Sequence, residues 1–303
     1  MINREFVDLG DVSEFYLEES NSETDNMNHR LNFRIEYQID SANSIIMRPR
    51  VSWQDNEGIS TTIAESLLGM SPLSNSNNVF SSDLNAVNYS NNLLFRHRFK
   101  KRRRTFSVGI NTGYNNKKGD SFLDSENEYF TGQSIAEIID QRSDLDSDGW
   151  NVGTSFNFTE PVGKQGMLML SYRYNLQREN SNKGTFDFSE NDQDYTLQND
   201  VLSNVFTNDY ITNRIGTGYN LRVGKGMFMA RAEFQMAELD NEQTFPIDNQ
   251  LNQRFYSVLP MVMYRYRPSR SNNFMFFYRT RTSSPSVTQL QNVLDNSNPF
   301  QLS

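Results

Sequence analysis

The chain has 303 residues with a formal charge of -8 and no cysteine, and 36% of it is hydrophobic. Its mean hydropathy is -0.70, and no run of about 18 apolar residues occurs, which excludes a membrane-spanning helix. The absent cysteines exclude disulfides and thiolate metal sites, and the acidic balance argues against a nucleic-acid partner, whose phosphates need basic surface.

Residues 1–28 are acidic and irregular and read as a loop or an unpaired N-terminal stretch. They carry polar residues where a signal peptide would have its apolar core, so for an exported protein they would be an internal piece of a longer chain. From residue 29 the pattern changes to a period of two, which only a strand produces. Leu31, Phe33, Ile35, Tyr37 and Ile39 share one face, opposite Asn32, Arg34, Glu36 and Gln38. After a tight turn, Ile45, Met47, Pro49, Val51 and Trp53 oppose Ile46, Arg48, Arg50 and Ser52. Proline removes a ladder donor, so an irregularity is expected at Pro49, and likewise at Pro260.

Residues 55–88 are rich in Ser and Asn, have no sustained period and read as a surface loop. The next pair of arms, 89–99 and 105–115, places Leu93, Phe95 and His97, then Phe106, Val108 and Ile110, on one face with Arg96 and Arg98 opposed. Between them Lys100, Lys101, Arg102, Arg103 and Arg104 form either an anionic-lipid or nucleic-acid patch or a solvated hairpin turn. A second long loop covers 116–149. It contains Asp144, Asp146, Asp148 and Gly149, which match the first half of a calcium loop; Ser155 stands where the bidentate glutamate should be, and an acidic solvated loop is the other reading. Strands at 150–158 and 168–176, a loop at 177–209, and strands at 211–223 and 228–236 joined through Gly224, Lys225 and Gly226 continue the rhythm. A loop at 237–253 leads to a last hairpin, 256–267 and 274–281, whose aromatic face carries Tyr256, Tyr264, Phe274, Phe276 and Tyr278.

The arms are about 9 to 14 residues long, close to the ~9 to 11 that a tilted strand needs to cross a bilayer. The predicted fold is all-β: a transmembrane antiparallel segment of about ten strands in an up-and-down meander over residues 29–281. Short periplasmic turns alternate with long extracellular loops, and residues 282–303 form a truncated loop. The whole is an open, incomplete barrel lying in the cell outer membrane. Aromatics make up 13% of the chain, which suits girdles at membrane interfaces. On the face opposite them lie Arg48, Arg50, Arg96, Arg98, Arg173, Arg214, Arg222, Arg231, Arg265 and Arg279, with Glu36 and Glu233 as their clear acidic counterparts. Unpaired cations cost too much for a dry core, so that face is expected to be wet and to line the lumen. His29 and His97 have no serine or paired carboxylates placed beside them, and nothing points to catalysis or to a bound cofactor beyond the calcium considered above.

The run R-T-R-T-S-S-P-S-V-T-Q-L-Q-N-V-L-D-N-S-N-P-F, residues 279–300, resembles the barrel domain of TonB-dependent receptor-like outer-membrane proteins. There an aromatic and basic strand runs into a loop with Pro, Leu and Asn-Pro. The resemblance covers some twenty residues, and the Gly-Asn-Pro-x-Leu-x-Pro element that follows in the family is not reached before Ser303. It implies a barrel of about 22 strands with an N-terminal plug, importing a scarce nutrient with energy from the inner membrane. The implied partners are outer-membrane lipid, a plug domain, the remaining barrel strands and a surface lipoprotein. A self-contained ten-strand barrel with a hydrolase or structural role is the alternative. It should pair its first and last strands, whereas part of a receptor barrel should be a curved sheet with free edges.

Overall fold

In the computed structural model, which describes residues 2–7, 13–131 and 133–283, the chain is one antiparallel sheet of thirteen strands. They are β1 (Ile2–Val7), β2 (Ser13–Asn32), β3 (Ile35–Gln38), β4 (Asn43–Leu68), β5 (Ser71–Arg98), β6 (Thr105–Thr131) and β7 (Gln133–Val162). After these come β8 (Gly166–Ser189), β9 (Asp194–Gln198), β10 (Asn204–Val223), β11 (Gly226–Phe245), β12 (Asn249–Tyr266) and β13 (Phe274–Arg279). The order is β1-β2-β4-β5-β6-β7-β8-β10-β11-β12-β13, with β3 paired to β4 and β9 to β8. Neighbours in space are neighbours in sequence, as the meander requires, and among the described residues β1 and β13 do not pair with each other. The sheet is open.

Each of the ten predicted arms lies on strand to within two residues of its ends, the first divided between β2 and β3, and the two prolines act as expected. In an antiparallel ladder every second opposed pair exchanges two hydrogen bonds, and proline in such a pair can supply only its carbonyl. Phe33 donates its N–H to Pro49 at 3.0 Å. The missing return bond coincides with the break between β2 and β3, while the other side of Pro49 continues in register with Asn91. Likewise Thr280 donates to Pro260 at 3.1 Å, and β13 ends at the preceding residue.

The segments expected as loops are not loops. Residues 55–88 are the distal arms of β4 and β5, residues 116–149 those of β6 and β7, and 177–209 and 237–253 are for the most part strand as well. The N-terminal stretch is corrected in the same way: β2 begins at Ser13 and stays in register with β4 from Glu14 to Asn32. The reason is that a ladder needs backbone partners, not an apolar side. Strand β7, at 30 residues, is about three times the ~9 to 11 needed to cross a bilayer, so its distal two-thirds meets water on its outer side and keeps no hydropathic period. Residues 284–303, expected as a loop, lie outside the described residues.

Directly paired residues share a face, so the registers sort the side chains. One row across the sheet reads Tyr37, Ile45, Phe95, Val108, Phe156, Tyr172, Ile215, Phe234 and Val258. These side chains are left open: Tyr37 is 63% exposed, Ile215 63% and Val258 67%. A continuous apolar surface of this size on a soluble protein would aggregate, whereas hydrocarbon accepts it. On β12 the band is bracketed by Tyr256 and Tyr266; ten residues span ~34 Å along the strand, or roughly 25 Å of height at a ~40° tilt. Beyond the band the same face becomes ionic. Lys118 bonds Asp146 at 2.7 Å, and Arg142 lies 3.1 Å from Asp120 and 2.9 Å from Asp144. Burial lies on the opposite face of the extensions, in polar and apolar groups alike: Ser76, Asn78, Ser125 and Asn127 on β5 and β6, and Tyr210, Ala237 and Leu239 on β10 and β11.

Candidate functional site

The face opposite the apolar band carries all ten predicted arginines. At its middle height the row Glu36, Ile46, Leu94, Gly109, Ser155, Arg173, Arg214, Gln235 and Ser257 runs across the sheet. Arg48, Arg50, Arg96, Arg98, Arg222, Arg231, Arg265 and Arg279 follow at even spacings along the same strands or in register with residues that do. The registers thus put all ten on one side of the sheet.

The ten do not form one site. Arg48 and Arg50 line a concavity of about 850 Å³ with Arg30, Asn32, Asn92, Asn111 and Asn151. There Arg48 Nη1 donates to Asn92 Oδ1 at 3.1 Å, and Asn92 Nδ2 to Asn111 Oδ1 at 2.7 Å, a polar ladder over β4, β5 and β6. Arg173, Arg214, Arg231 and Arg279 converge on a second, smaller cavity with Glu233. Glu233 Oε1 receives Arg173 Nη2 at 3.1 Å and Arg231 Nε at 3.0 Å. Arg231 Nη2 also donates to Ser171 Oγ at 2.8 Å. The remaining four sit toward the short turns. Arg98 is tied to the Ser41 carbonyl, Arg265 Nε donates to Asn273 Oδ1 at 2.8 Å, and Arg222 reaches Met227 Sδ at 3.9 Å.

Sequence reasoning missed the asparagines beside Arg48 and also Gly216. Gly216 stands between Ser171 and Glu233, and a Cβ there would come within 2.8 Å of Ser171 Oγ and 2.9 Å of Glu233 Cγ. Glycine is what lets the carboxylate lie across β10 toward Arg173. The signal was available as small residues alternating with the outward Ile215 and Thr217, but the partner strands had first to be put in register.

Asp144, Asp146 and Asp148 are a correction. They occupy alternate positions of β7 on its outer face, not a loop, so they point the same way along a straight strand instead of wrapping a centre. Each is already engaged: Asp144 with Arg142, Asp146 with Lys118, and Asp148 with Asn180 Nδ2 at 3.2 Å. A hydrogen bond shared with Asp120 pushes the Asp144 carboxyl up and pulls that of Asp120 down, which opposes having both ionised. Among the described residues no group of three or more His, Asp or Glu side chains is placed to hold a metal ion.

The histidines lie on the aromatic face. His97 Nδ1 is 2.7 Å from Asn43 Oδ1, and His29 stacks on Trp53 at 5.0 Å between ring centroids. The basic run is a hairpin turn in which Lys101 and Arg104 clasp Glu160.

Comparison with known proteins adds three findings. The model of the outer membrane protein beta-barrel family matches residues 97–303. No curated protein matches the chain. Among solved structures, the ferric citrate transporter FecA in its unliganded form is similar at 9% identity and a TM-score of 0.49, over 86% of this chain and 43% of that one. The translocator domain of the autotransporter NalP from Neisseria meningitidis is similar at 9% identity and a TM-score of 0.30, over 89% and 82%. The chain thus spans less than half the length of the ferric citrate transporter it matches.

Proposed function

This chain belongs to the outer membrane protein β-barrel family and lies in the outer membrane, and from that premise we propose that it forms part of the wall of a TonB-dependent receptor-like barrel that takes a nutrient ligand across that membrane. The observation that supports this reading is the open arc. Among the described residues eleven strands follow one another in a single antiparallel path whose ends do not pair. Barrels of 8 strands fill their interior with side chains, those of 16–18 leave an aqueous channel, and those of 22 hold a plugged lumen. An arc still open after eleven strands closes into one of the larger kinds.

The arginine-bearing face then lines the lumen, where water or a plug domain satisfies its charges. Outer-membrane lipid covers the apolar band, further strands cover the two edges, and the extended hairpins stand outside the cell, within reach of a surface lipoprotein. The role is passage, not catalysis. The alternative, a self-contained ten-strand barrel with a hydrolase or structural role, needs its first and last strands to pair, and among the described residues they do not.

Electron cryo-microscopy of the protein extracted from outer membranes tests this. The expected result is a closed barrel of about twice this arc with a folded plug against the arginines. A closed barrel of ten to thirteen strands around an unobstructed pore would overturn it.

A further inference from the structure

Charge is distributed unevenly on the inner face. The smaller cavity is lined by five arginines, Arg173, Arg214, Arg231, Arg279 and Arg281, and by one carboxylate, Glu233. Arg173 and Arg214 are direct cross-strand partners, and Arg231 and Arg279 both flank Met261. Like charges placed opposite each other on a sheet repel, so the arrangement is unfavourable without a further anion. Two of the five are engaged by Glu233, but Arg214 Nε is buried with no hydrogen-bond partner. Arg279 forms no ion pair among the described residues. A buried donor left unmade is costly and asks for an acceptor.

The cavity holds about 130 Å³, the liquid volume of roughly four waters at ~30 Å³ each. That is room for a small oxyanion or for the charged end of a larger ligand. Guanidinium groups present planar forks that match the oxygens of phosphate and carboxylate. A lone carboxylate would offset only one of the four excess cations, whereas a phosphate group carries more charge and more acceptor oxygens.

We infer that Arg173, Arg214, Arg231 and Arg279, arranged around Glu233, form a binding site for a phosphate-type oxyanion, free or as the phosphate group of a small ligand. Glu233 has two effects there. It fixes Arg173 and Arg231 in place, and it limits affinity by repelling the anion. The site rests on a water-filled interior and not on import, so it stands or falls separately from the receptor reading.

The test is calorimetric titration of the whole protein, folded in lipid nanodiscs, with inorganic phosphate, a phosphate monoester and acetate. Saturable phosphate binding is expected, weakened about tenfold or more by R214Q or R279Q, as loss of a charged hydrogen bond implies. K225Q, in a turn away from the cavity, should leave it unchanged. E233Q is the discriminating variant: a site for an anion should bind phosphate more tightly once the carboxylate is neutral, which a merely structural ion pair would not do. Circular dichroism establishes that each variant is folded. Monoester binding equal to that of free phosphate identifies the phosphate group as what is held; binding of free phosphate alone supports the site with a free ion as its ligand. Absence of saturable phosphate binding, indifference to R214Q, or acetate binding as tightly as phosphate overturns the assignment.

Discussion

Glu160 shows how a single side chain can fasten a hairpin end. It stands beside the turn at residues 163–165 and accepts Lys101 Nζ at 2.6 Å and Arg104 Nε at 2.5 Å from the neighbouring turn. Those hydrogen bonds, from Arg104 first and Lys101 second, lower its pKa from 4.5 to about 2. A carboxyl that is more acidic folded than unfolded stabilises the fold above its unfolded pKa, and that gain disappears as pH falls through the folded value. The stability difference between the protein and E160Q should therefore be level above about pH 5 and shrink as the pH drops toward about 2. Urea unfolding at a series of pH values measures it, and a gap that survives undiminished at pH 2 would show that Glu160 acts through something other than its charge.

At the level of strands, the two faces make opposite predictions for one kind of substitution. Ile215 lies mid-band with Tyr172 and Phe234 as its cross-strand partners. I215R should cost ~2–4 kcal/mol, as a cation at the bilayer midplane does. N111R, on the arginine-bearing face, should cost much less, because water reaches that exposed side chain and the loss is one hydrogen bond from Asn92. Equilibrium unfolding from lipid vesicles compares them, and equal costs would mean that the faces are not in different solvents. The same contrast explains what the sequence could reveal. Within the band, hydrocarbon and water select alternate residues, so all ten arms and the common side of the ten arginines were legible. In the extensions neither face is consistently apolar, and the buried side mixes Tyr210, Ala237 and Leu239 with hydrophilic groups. Ser76, Asn78, Ser125 and Asn127 are buried yet hydrophilic, with Ser76 Oγ donating to Asn127 Oδ1 at 2.8 Å. Periodicity there exists in burial but not in hydropathy, and a search for apolar alternation passes over it. Nor could the sequence bring Arg173 to Glu233, sixty residues apart, since that juxtaposition depends on the registers of β8, β10 and β11.

For the molecule as a whole, the physical problem is its edges. A strand that borders hydrocarbon with unpaired N–H and C=O groups costs several kcal/mol per unsatisfied group, so open edges do not persist in the membrane. Strand β13 is such an edge: among the described residues it pairs only with β12, from Met261↔Arg279 to Tyr266↔Phe274, and its Phe274, Phe276 and Tyr278 are about as open as the rest of the lipid-facing surface. In the outer membrane it must have a second neighbour, supplied either by further strands of the same barrel or by another copy of this chain. Hydrogen exchange measured on the protein in outer-membrane preparations tests this. The amides of β13 that point away from β12 should exchange as slowly as those of β11, which has a partner on each side. If they exchange as fast as those of the turn at residues 267–273, the edge is bare in the membrane and the sheet closes by no strand at all. Slow exchange that turns fast on dilution into detergent, with a fall in oligomer size, would assign the covering strand to a second copy; slow exchange independent of dilution assigns it to one continuous barrel.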